Sequence, residues 1–418
     1  MLIKNARLVL DNGDEALRDI LVSEGKITEI SEEIGIEGAI RKIFQNESHL
    51  VKMDYLDLEG RYLIPGVVDA HVHMRDPGLT HKETVTTGSM SCAKGGITTF
   101  IDMPNTIPAT VTEEALEDKR GIFKGKSYVD YGFHFGGSGD NNSQEIMKVK
   151  NTASTKVFLN ISTGKMMVEK DETLDDIFSS SKIVSVHAEE EMVGKAISLT
   201  KKNGNELYLC HLSLKEEVEE LKRAKSEGMK VYGEVTPHHL FLNTDNRDEN
   251  EESKKLLIMK PELKSNRDNE SLWEALRNGT IDTVGTDHAP HLLSEKREKT
   301  TFGIPGVEHS LEMMLNGVKD GKISMKRLIE VMSENPAKIF NIKNKGRIEV
   351  GYDADFVELN LDLERVIKRE DVVSKCGWSP YEGMKTGGTV LTTVVRGEIV
   401  YKNGNFKNKI GREVEFNG

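Results

Sequence analysis

The histidines and acids of this 418-residue chain gather where short apolar runs end. Asp69, His71 and His73 close a run that starts at Tyr62, and Lys156 opens the run that ends at Asn160. His187 and His211 end the runs from Ile183 and Leu207, and Asp287, followed by His288, ends the run from Thr283. Alternate residues of a strand share a face, so His71 and His73 can grip one metal ion together. Alone, a His-X-His pair is equally a turn whose rings are satisfied by backbone. Further ligand types at equivalent positions, His187, His211 and Asp287, leave chance a poor account, and a metal centre follows. Imidazole and carboxylate donors without thiolates suit Zn2+, with manganese, cobalt or iron as substitutes.

Lys156 poses a separate question. In Thr155-Lys156-Val157-Phe158-Leu159-Asn160 it sits within an apolar strand, where an ammonium is costly to desolvate. Two readings stand side by side. Either the stem packs while the charge reaches out to water, or an interior amine loses its proton and captures carbon dioxide as a carbamate, a two-oxygen group able to bridge two metals.

Such residues need a frame that brings them together from remote positions. The runs Tyr62 to His73, Ile97 to Met103, Val129 to Phe135, Lys156 to Asn160, Ile183 to His187, Leu207 to His211, Val231 to Val235 and Thr283 to Asp287 are each followed by a helix-length segment. Eight strand-then-helix units with near-continuous apolar strands predict an α/β fold, a closed (β/α)8 TIM-like barrel whose active site lies at the C-terminal strand ends. An open doubly wound sheet would bring an early Gly-rich phosphate turn; Gly136-Gly137-Ser138-Gly139 lacks the spacing and reads as a loop. Short strands with Gly turns at both ends of the chain predict a small composite β-sandwich domain, formed by residues 1–62 and 345–418 around a barrel of 63–344.

Composition narrows the partners. The net charge is -12, and Lys and Arg are interleaved with acids, which excludes nucleic acid. No run approaches about 18 apolar residues and no signal-peptide core opens the chain, so the expectation is a cytoplasmic protein without a membrane segment. Cys92, Cys210 and Cys376 are too few and too dispersed for a disulfide framework or a thiolate zinc site, and are expected as buried reduced thiols.

Several motifs recur together: Val68-Asp69-Ala70-His71-Val72-His73-Met74-Arg75-Asp76-Pro77-Gly78, Met103-Pro104-Asn105-Thr106, His187-Ala188-Glu189, Cys210-His211, Thr236-Pro237-His238-His239-Leu240, Asp287-His288-Ala289-Pro290-His291, Gly303-Ile304-Pro305-Gly306-Val307-Glu308 and Trp378-Ser379-Pro380-Tyr381-Glu382-Gly383. Spanning nearly the whole chain, they resemble those of the dihydroorotases of the amidohydrolase superfamily. The resemblance implies two zinc ions per subunit, one on His71 and His73, the other on His187 and His211. Carboxylated Lys156 would bridge them, and Asp287 would complete the first metal's shell and shuttle the proton. The implied reaction is the reversible cyclisation of N-carbamoyl-L-aspartate to L-dihydroorotate and water in pyrimidine (UMP) biosynthesis.

Arg75, two residues after His73, would hold the substrate's free carboxylate in its planar fork. A rim salt bridge with Asp76 or Glu83 is the alternative. The resemblance adds Asn105 and His291 to the carboxylate or ring, and backbone around Pro305 and Gly306 to the ring amides. Allantoinases and hydantoinase or dihydropyrimidinase-type enzymes resemble the metal motifs but usually lack this arginine with this histidine. A non-catalytic amidohydrolase scaffold would have lost the ligands, all of which are present here. The oligomeric state is not written in the sequence.

Some features depart from the pattern or stand outside it. Residues 31–55, through Ile40-Arg41-Lys42-Ile43-Phe44-Gln45, are a longer excursion whose apolar spacing fits a short helix. Many bacterial relatives bridge their metals with an aspartate, which keeps Asp140 as an alternative; Lys156 is favoured because its strand resembles the carbamate-bearing strand of the multifunctional animal enzyme. Met259-Lys260-Pro261-Glu262-Leu263 replaces an Asn-Pro-Pro-Leu pattern. Ile161-Ser162-Thr163-Gly164-Lys165 reads as a lid that could bond substrate through Ser162 or Thr163, or as a plain loop. Asp245 to Glu252 is expected as a solvated loop, and His49, His81, His134 and His309 in structural or surface roles.

Overall fold

The computed structural model describes residues 1–43, 54–161, 166–245 and 250–417. Five short strands come first: β1 (Leu2–Val9), β2 (Glu15–Ser23), β3 (Lys26–Ser31), β4 (Tyr55–Asp57) and β5 (Tyr62–Pro65). Gly13 and Gly25, with φ of 89° and 76°, supply the left-handed backbone that the turns joining the first three require. The expected helix forms at Ile36–Ile43; Phe44, Gln45 and His49 lie outside the described residues.

The barrel strands follow: β6 (Val67–Val72), β7 (Ile97–Asp102), β8 (Asp130–Phe133), resuming after His134 as β9 (Phe135–Gly136), β10 (Thr155–Phe158), β11 (Ile183–His187), β12 (Glu206–Leu209), β13 (Val231–Val235) and β14 (Thr283–Val284). Each pairs in parallel with its neighbour, and a parallel bridge from Val72 to His288 joins the last to the first. The expected (β/α)8 barrel is thus formed. Every residue of β11 is buried, which is why Ile183, Val184 and Val186 are apolar and branched on both faces of the strand.

The helices between strands are built by local signals and held by packing. Helix Glu113–Phe123 starts where the Thr112 hydroxyl accepts the Ala115 amide, and Glu113 and Glu114 complement its N-terminal dipole. Leu116, Lys119 and Phe123 form its buried face. Phe123 packs edge-on against Phe133 with ring centroids 5.0 Å apart, so Phe123→Ala would cost about 3–5 kcal/mol. No helix of the described residues is long and apolar enough to cross a membrane.

Four further strands complete the fold: β15 (Phe356–Asn360), β16 (Thr389–Val395), β17 (Glu398–Lys402) and β18 (Asn405–Phe406). They continue the N-terminal strands into one nine-stranded sheet, in the order β18-β17-β16-β15-β5-β1-β2-β3, with β4 beside β1. The junction is the antiparallel pair β5–β15, so both ends of the chain share this sheet. Its apolar side gathers Ile3, Ile20, Val22, Leu63, Phe356 and Val394.

A buried ionic cluster fastens sheet to barrel. Lys345 Nζ lies 2.6 Å from Asp130 of β8, 2.9 Å from Asp353 and 2.7 Å from Asp355. The grouping of three acids could hold a cation, and this ammonium fills that role. Further along, a segment at 373–378 reaches the catalytic end of the barrel. The Val373 and Ser374 amides donate to Glu308, the Ser374 hydroxyl donates to Glu83, and Trp378 Nε1 donates to the His291 carbonyl at 2.8 Å. One loop expectation is corrected: Glu251 and Glu252 begin helix Glu251–Leu256, because the Asn250 side chain accepts the Glu252 amide and caps it.

Candidate active site

His71 is in β6 and His73 follows it, with ring centroids 5.5 Å apart. His71 Nδ1 donates to Glu234 Oε1 at 2.7 Å, and His73 Nδ1 donates to Asn105 Oδ1 at 2.6 Å. Both rings therefore turn Nε2 toward Asp287 Oδ1, at 3.3 and 3.0 Å. Burial works against protonation of His71, but Glu234 and Asp287 raise it to about 10, so without a metal a proton on His71 Nε2 faces Asp287, and a divalent cation would take that proton's place. Burial works against ionisation of Asp287, but the charge on His71 and the hydrogen bond from His73 outweigh it and hold the carboxyl well below its usual range. Burial also drives the His73 imidazole down to about 4, favouring the neutral, ligating form.

Glu234 of β13 secures this arrangement from behind. It is fully buried, and besides His71 it accepts the His211 amide at 3.0 Å and the Tyr208 hydroxyl at 2.8 Å. Gly285 makes room for it: a Cβ there would lie 2.2 Å from Glu234 Oε2. Asp69 accepts the Thr286 hydroxyl at 2.6 Å and the Thr286 and His71 amides at 3.1 Å, tying the first strand end to the last.

A second pair of imidazoles stands alongside. His187 Nδ1 and His211 Nε2 face each other at 2.8 Å, while among the described residues His211 Nδ1 has no hydrogen-bond partner and His187 Nε2 lies 3.3 Å from Glu189 Oε1 in poor alignment. Lys156 is fully buried, which removes the reading in which its charge reaches water. Its Nζ contacts Cys210 Sγ at 2.9 Å, and among the described residues it has no carboxylate within 4.0 Å. Its charge opposes protonation of His71, His187 and His211, so it sits among them. Asp140, the alternative bridge, is in an exposed turn and is not brought to the site.

Arg75, His211 and Asp287 have φ of 60°, 38° and 46°, left-handed backbone that costs roughly 1–3 kcal/mol each and persists only where the surroundings enforce it. Arg75 is 2% exposed. Its Nε donates to the Pro290 carbonyl at 3.2 Å, and Nη2 lies 3.2 Å from His291 Nε2. Among the described residues no carboxylate pairs with it. The salt bridge with Asp76 or Glu83 is not formed: Glu83 instead accepts the Ser374 and Thr87 hydroxyls and faces His288. Burial pulls the guanidinium down to about 10. Lys82 Nζ lies 3.1 Å from His291 Nδ1, and burial, with Arg75 and Lys82 adding to it, pushes His291 down to about 2. Two cations flanking a neutral imidazole make a pocket suited to an anion.

The loop carrying Pro305 and Gly306 runs beside this pocket. The Gly306 amide donates to His288 Nδ1 at 3.0 Å, which leaves the His288 proton on Nε2, 3.8 Å from Glu83. The structure thus gathers His71, His73 and Asp287 at one point, pairs His187 with His211, and sets Arg75 beside His291. Asn105 is brought to His73. Ser162, Thr163, Gly164 and Lys165 lie outside the described residues. Cys92, Cys210 and Cys376 are buried free thiols as expected, and His134 is structural, bonded to Ser154 and the Ala70 carbonyl. Sequence reasoning missed Glu234, Lys82, the Cys210 contact, and His238, a fully buried ring whose nitrogens have no hydrogen-bond partner among the described residues. Glu234 carried a signal, an acid inside the apolar run Val231 to Val235.

Residues 62–400 match the amidohydrolase family. The chain is similar to a dihydroorotase of Pyrococcus abyssi, 37% identical over 94% of this chain and 93% of that one. It is similar also to a dihydroorotase of Methanosphaera stadtmanae, 34% identical over 92% and 95% of the two chains. Among solved structures it resembles the L-hydantoinase (dihydropyrimidinase) of Arthrobacter aurescens, with a TM-score of 0.90, 32% identity and 99% of each chain covered.

Proposed function

The chain belongs to the amidohydrolase family and is a cyclic amide hydrolase, and on that premise we propose that it opens L-dihydroorotate to N-carbamoyl-L-aspartate and closes it again. The observation that carries this reading is the buried guanidinium of Arg75 with no counter-ion among the described residues. Several kcal/mol of desolvation is repaid only when an anion arrives, and dihydroorotate differs from simpler cyclic ureides in carrying a carboxylate. A hydantoinase-type reading draws on the structural similarity to the L-hydantoinase, but a ring without a carboxylate would leave Arg75 unpaired in the complex as well.

The donor set suits two zinc ions: His71, His73 and Asp287 would hold one and His187 and His211 the other, and Lys156, once carbamylated, would add an oxygen donor between them. When bound, such ions lower the pKa of water and polarise a carbonyl. Formation of the carbamate joins the nitrogen of the neutral Lys156 amine to the carbon of carbon dioxide and releases one proton, leaving an anionic oxygen donor on a side chain that has no carboxylate partner among the described residues. Glu234 and Asn105 hold His71 and His73 in the tautomers that ligation needs.

Arg75 takes the substrate carboxylate and fixes the ring against the strand ends. Asp287, ionised in its nest of imidazoles, accepts the proton of the attacking water. As the ring C–N bond breaks, it returns that proton to the departing nitrogen; closure retraces the path. The Gly306 amide is spent on His288, so the Pro305–Gly306 turn meets the ring through its carbonyls.

The test is ureide formation from dihydroorotate by the purified protein. Turnover that a chelator abolishes and added zinc restores is expected. A metal-replete protein that forms no ureide would sink the assignment.

A further inference from the structure

His291 stands between two donors that cannot both be satisfied. Lys82 Nζ approaches Nδ1 at 3.1 Å, and Arg75 Nη2 approaches Nε2 at 3.2 Å. Neither an ammonium nor a guanidinium can accept, and a neutral imidazole has one lone pair and one N–H. With the proton on Nε2, Nδ1 accepts from Lys82 and Nε2 donates to the Phe302 carbonyl at 3.1 Å, giving two hydrogen bonds. With the proton on Nδ1, Arg75 is accepted, but that proton faces the Lys82 ammonium, the Phe302 carbonyl meets a lone pair, and Glu295 Oε2 is 3.7 Å away. The first state is the better satisfied. In it Arg75 Nη2 has no acceptor on His291 and remains available.

We propose that Lys82 is a positioning residue of the carboxylate pocket: by donating to His291 Nδ1 it holds the ring proton on Nε2 and so keeps the Arg75 fork unspent for the substrate. Lys82 is well placed for this, being 9% exposed and 3.4 Å from Glu295, which serves as its counter-ion. Loss of the Lys82 donor lets His291 switch tautomer and capture Arg75, so the pocket closes on itself before substrate arrives. The effect on binding rests on the dihydroorotase reading; the tautomer itself does not.

Two measurements separate these layers. The first is 15N NMR of histidine-labelled protein, with His291 assigned by its loss in His291→Ala. Nε2 protonated in the wild type, shifting toward Nδ1 protonation in Lys82→Met, which has no donor, and retained in Lys82→Arg, is expected. An Nδ1-protonated wild type, or no change in Lys82→Met, would overturn the proposal whatever the substrate. The second is steady-state kinetics with dihydroorotate. Lys82→Met should raise KM roughly tenfold or more, the loss of one charge-assisted contact, with kcat little changed and Lys82→Arg close to wild type. In the His291→Ala background Lys82→Met should add almost nothing. An equal cost in both backgrounds would make Lys82 a mere second charge and refute the positioning role. A wild type inactive on dihydroorotate, with the tautomer shift intact, would refute the substrate reading and leave the positioning of Arg75 standing.

Discussion

Replacing Arg75 by methionine should move catalysis and stability in opposite directions. Methionine keeps a Cβ and shares the backbone strain at φ 60°, so the change is confined to the guanidinium. Two hydrogen bonds from a charged group to a carboxylate, at about 1.5–3 kcal/mol each, set the loss in kcat/KM on the order of 10²-fold or more. The carboxylate is bound alike before and during reaction, so the loss should fall mainly on KM. In the free protein the same guanidinium is buried without a counter-ion, a cost of several kcal/mol, against which Arg75 recovers about 1 kcal/mol from the Pro290 carbonyl. Removing it should raise the melting temperature of the substrate-free protein and abolish further stabilisation by dihydroorotate. Metal content should not change. Kinetics in both directions and thermal melts with and without ligand read all of this. An unchanged KM would refute the argument, since Lys82, the other cation against His291, already has Glu295 as its counter-ion.

Lys156→Ala should abolish turnover and lower the bound metal measured by elemental analysis, with partial rescue by small carboxylic acids; full activity would return Lys156 to a packing role. Asp287→Asn should keep the fold and much of the metal yet lose turnover in both directions, because an amide can coordinate but cannot carry a proton. Lys345→Met should cost about 3–5 kcal/mol in urea unfolding, since it leaves buried Asp355 without a cation and Asp130 and Asp353 with only Arg396 and Lys26, and a neutral result would deny the cluster a role in fastening the sheet. Burial opposes ionisation of Asp130 and Asp353, but Lys345, together with Arg396 at Asp130 and Lys26 at Asp353, outweighs it and lowers both, while burial prevails at Asp355, which is raised. Carboxyls lowered in the folded state stabilise it above their ordinary pKa and lose that contribution as pH falls through the lowered values. Wild-type stability should therefore decline in acid more steeply than that of Lys345→Met; parallel acid profiles would contradict the coupling.

The parts of the site legible in the sequence are those that lie on strands. A two-residue period fixes which side chains share a face, so His71 and His73 could be paired, and strand ends in a barrel must meet, so His187, His211 and Asp287 could be placed. Arg75 was reachable because it lies two residues after His73. What escaped depends on contacts between distant loops: Lys82 and His291 are 209 residues apart, and no local pattern announces their contact. The bracing of Glu83 and Glu308 by the segment around Ser374 is equally non-local. Glu234 was exposed to notice by its setting, because an acid in an apolar strand needs partners, but its partners could not be named without Tyr208 and His211 in place. The joining of both chain ends followed from strand patterns alone; the order of nine strands in one sheet did not.

The most direct test of the central claim compares two substrates that share a ring and differ by one carboxylate. Turnover of L-dihydroorotate and of dihydrouracil by the zinc-loaded wild type should differ in kcat/KM on the order of 10²-fold or more in favour of dihydroorotate, the worth of the Arg75 contact. In Arg75→Met the preference should collapse toward unity. Equal turnover of both rings by the wild type, or a preference that survives the loss of Arg75, would contradict the account and move the protein to the hydantoinase side of its family.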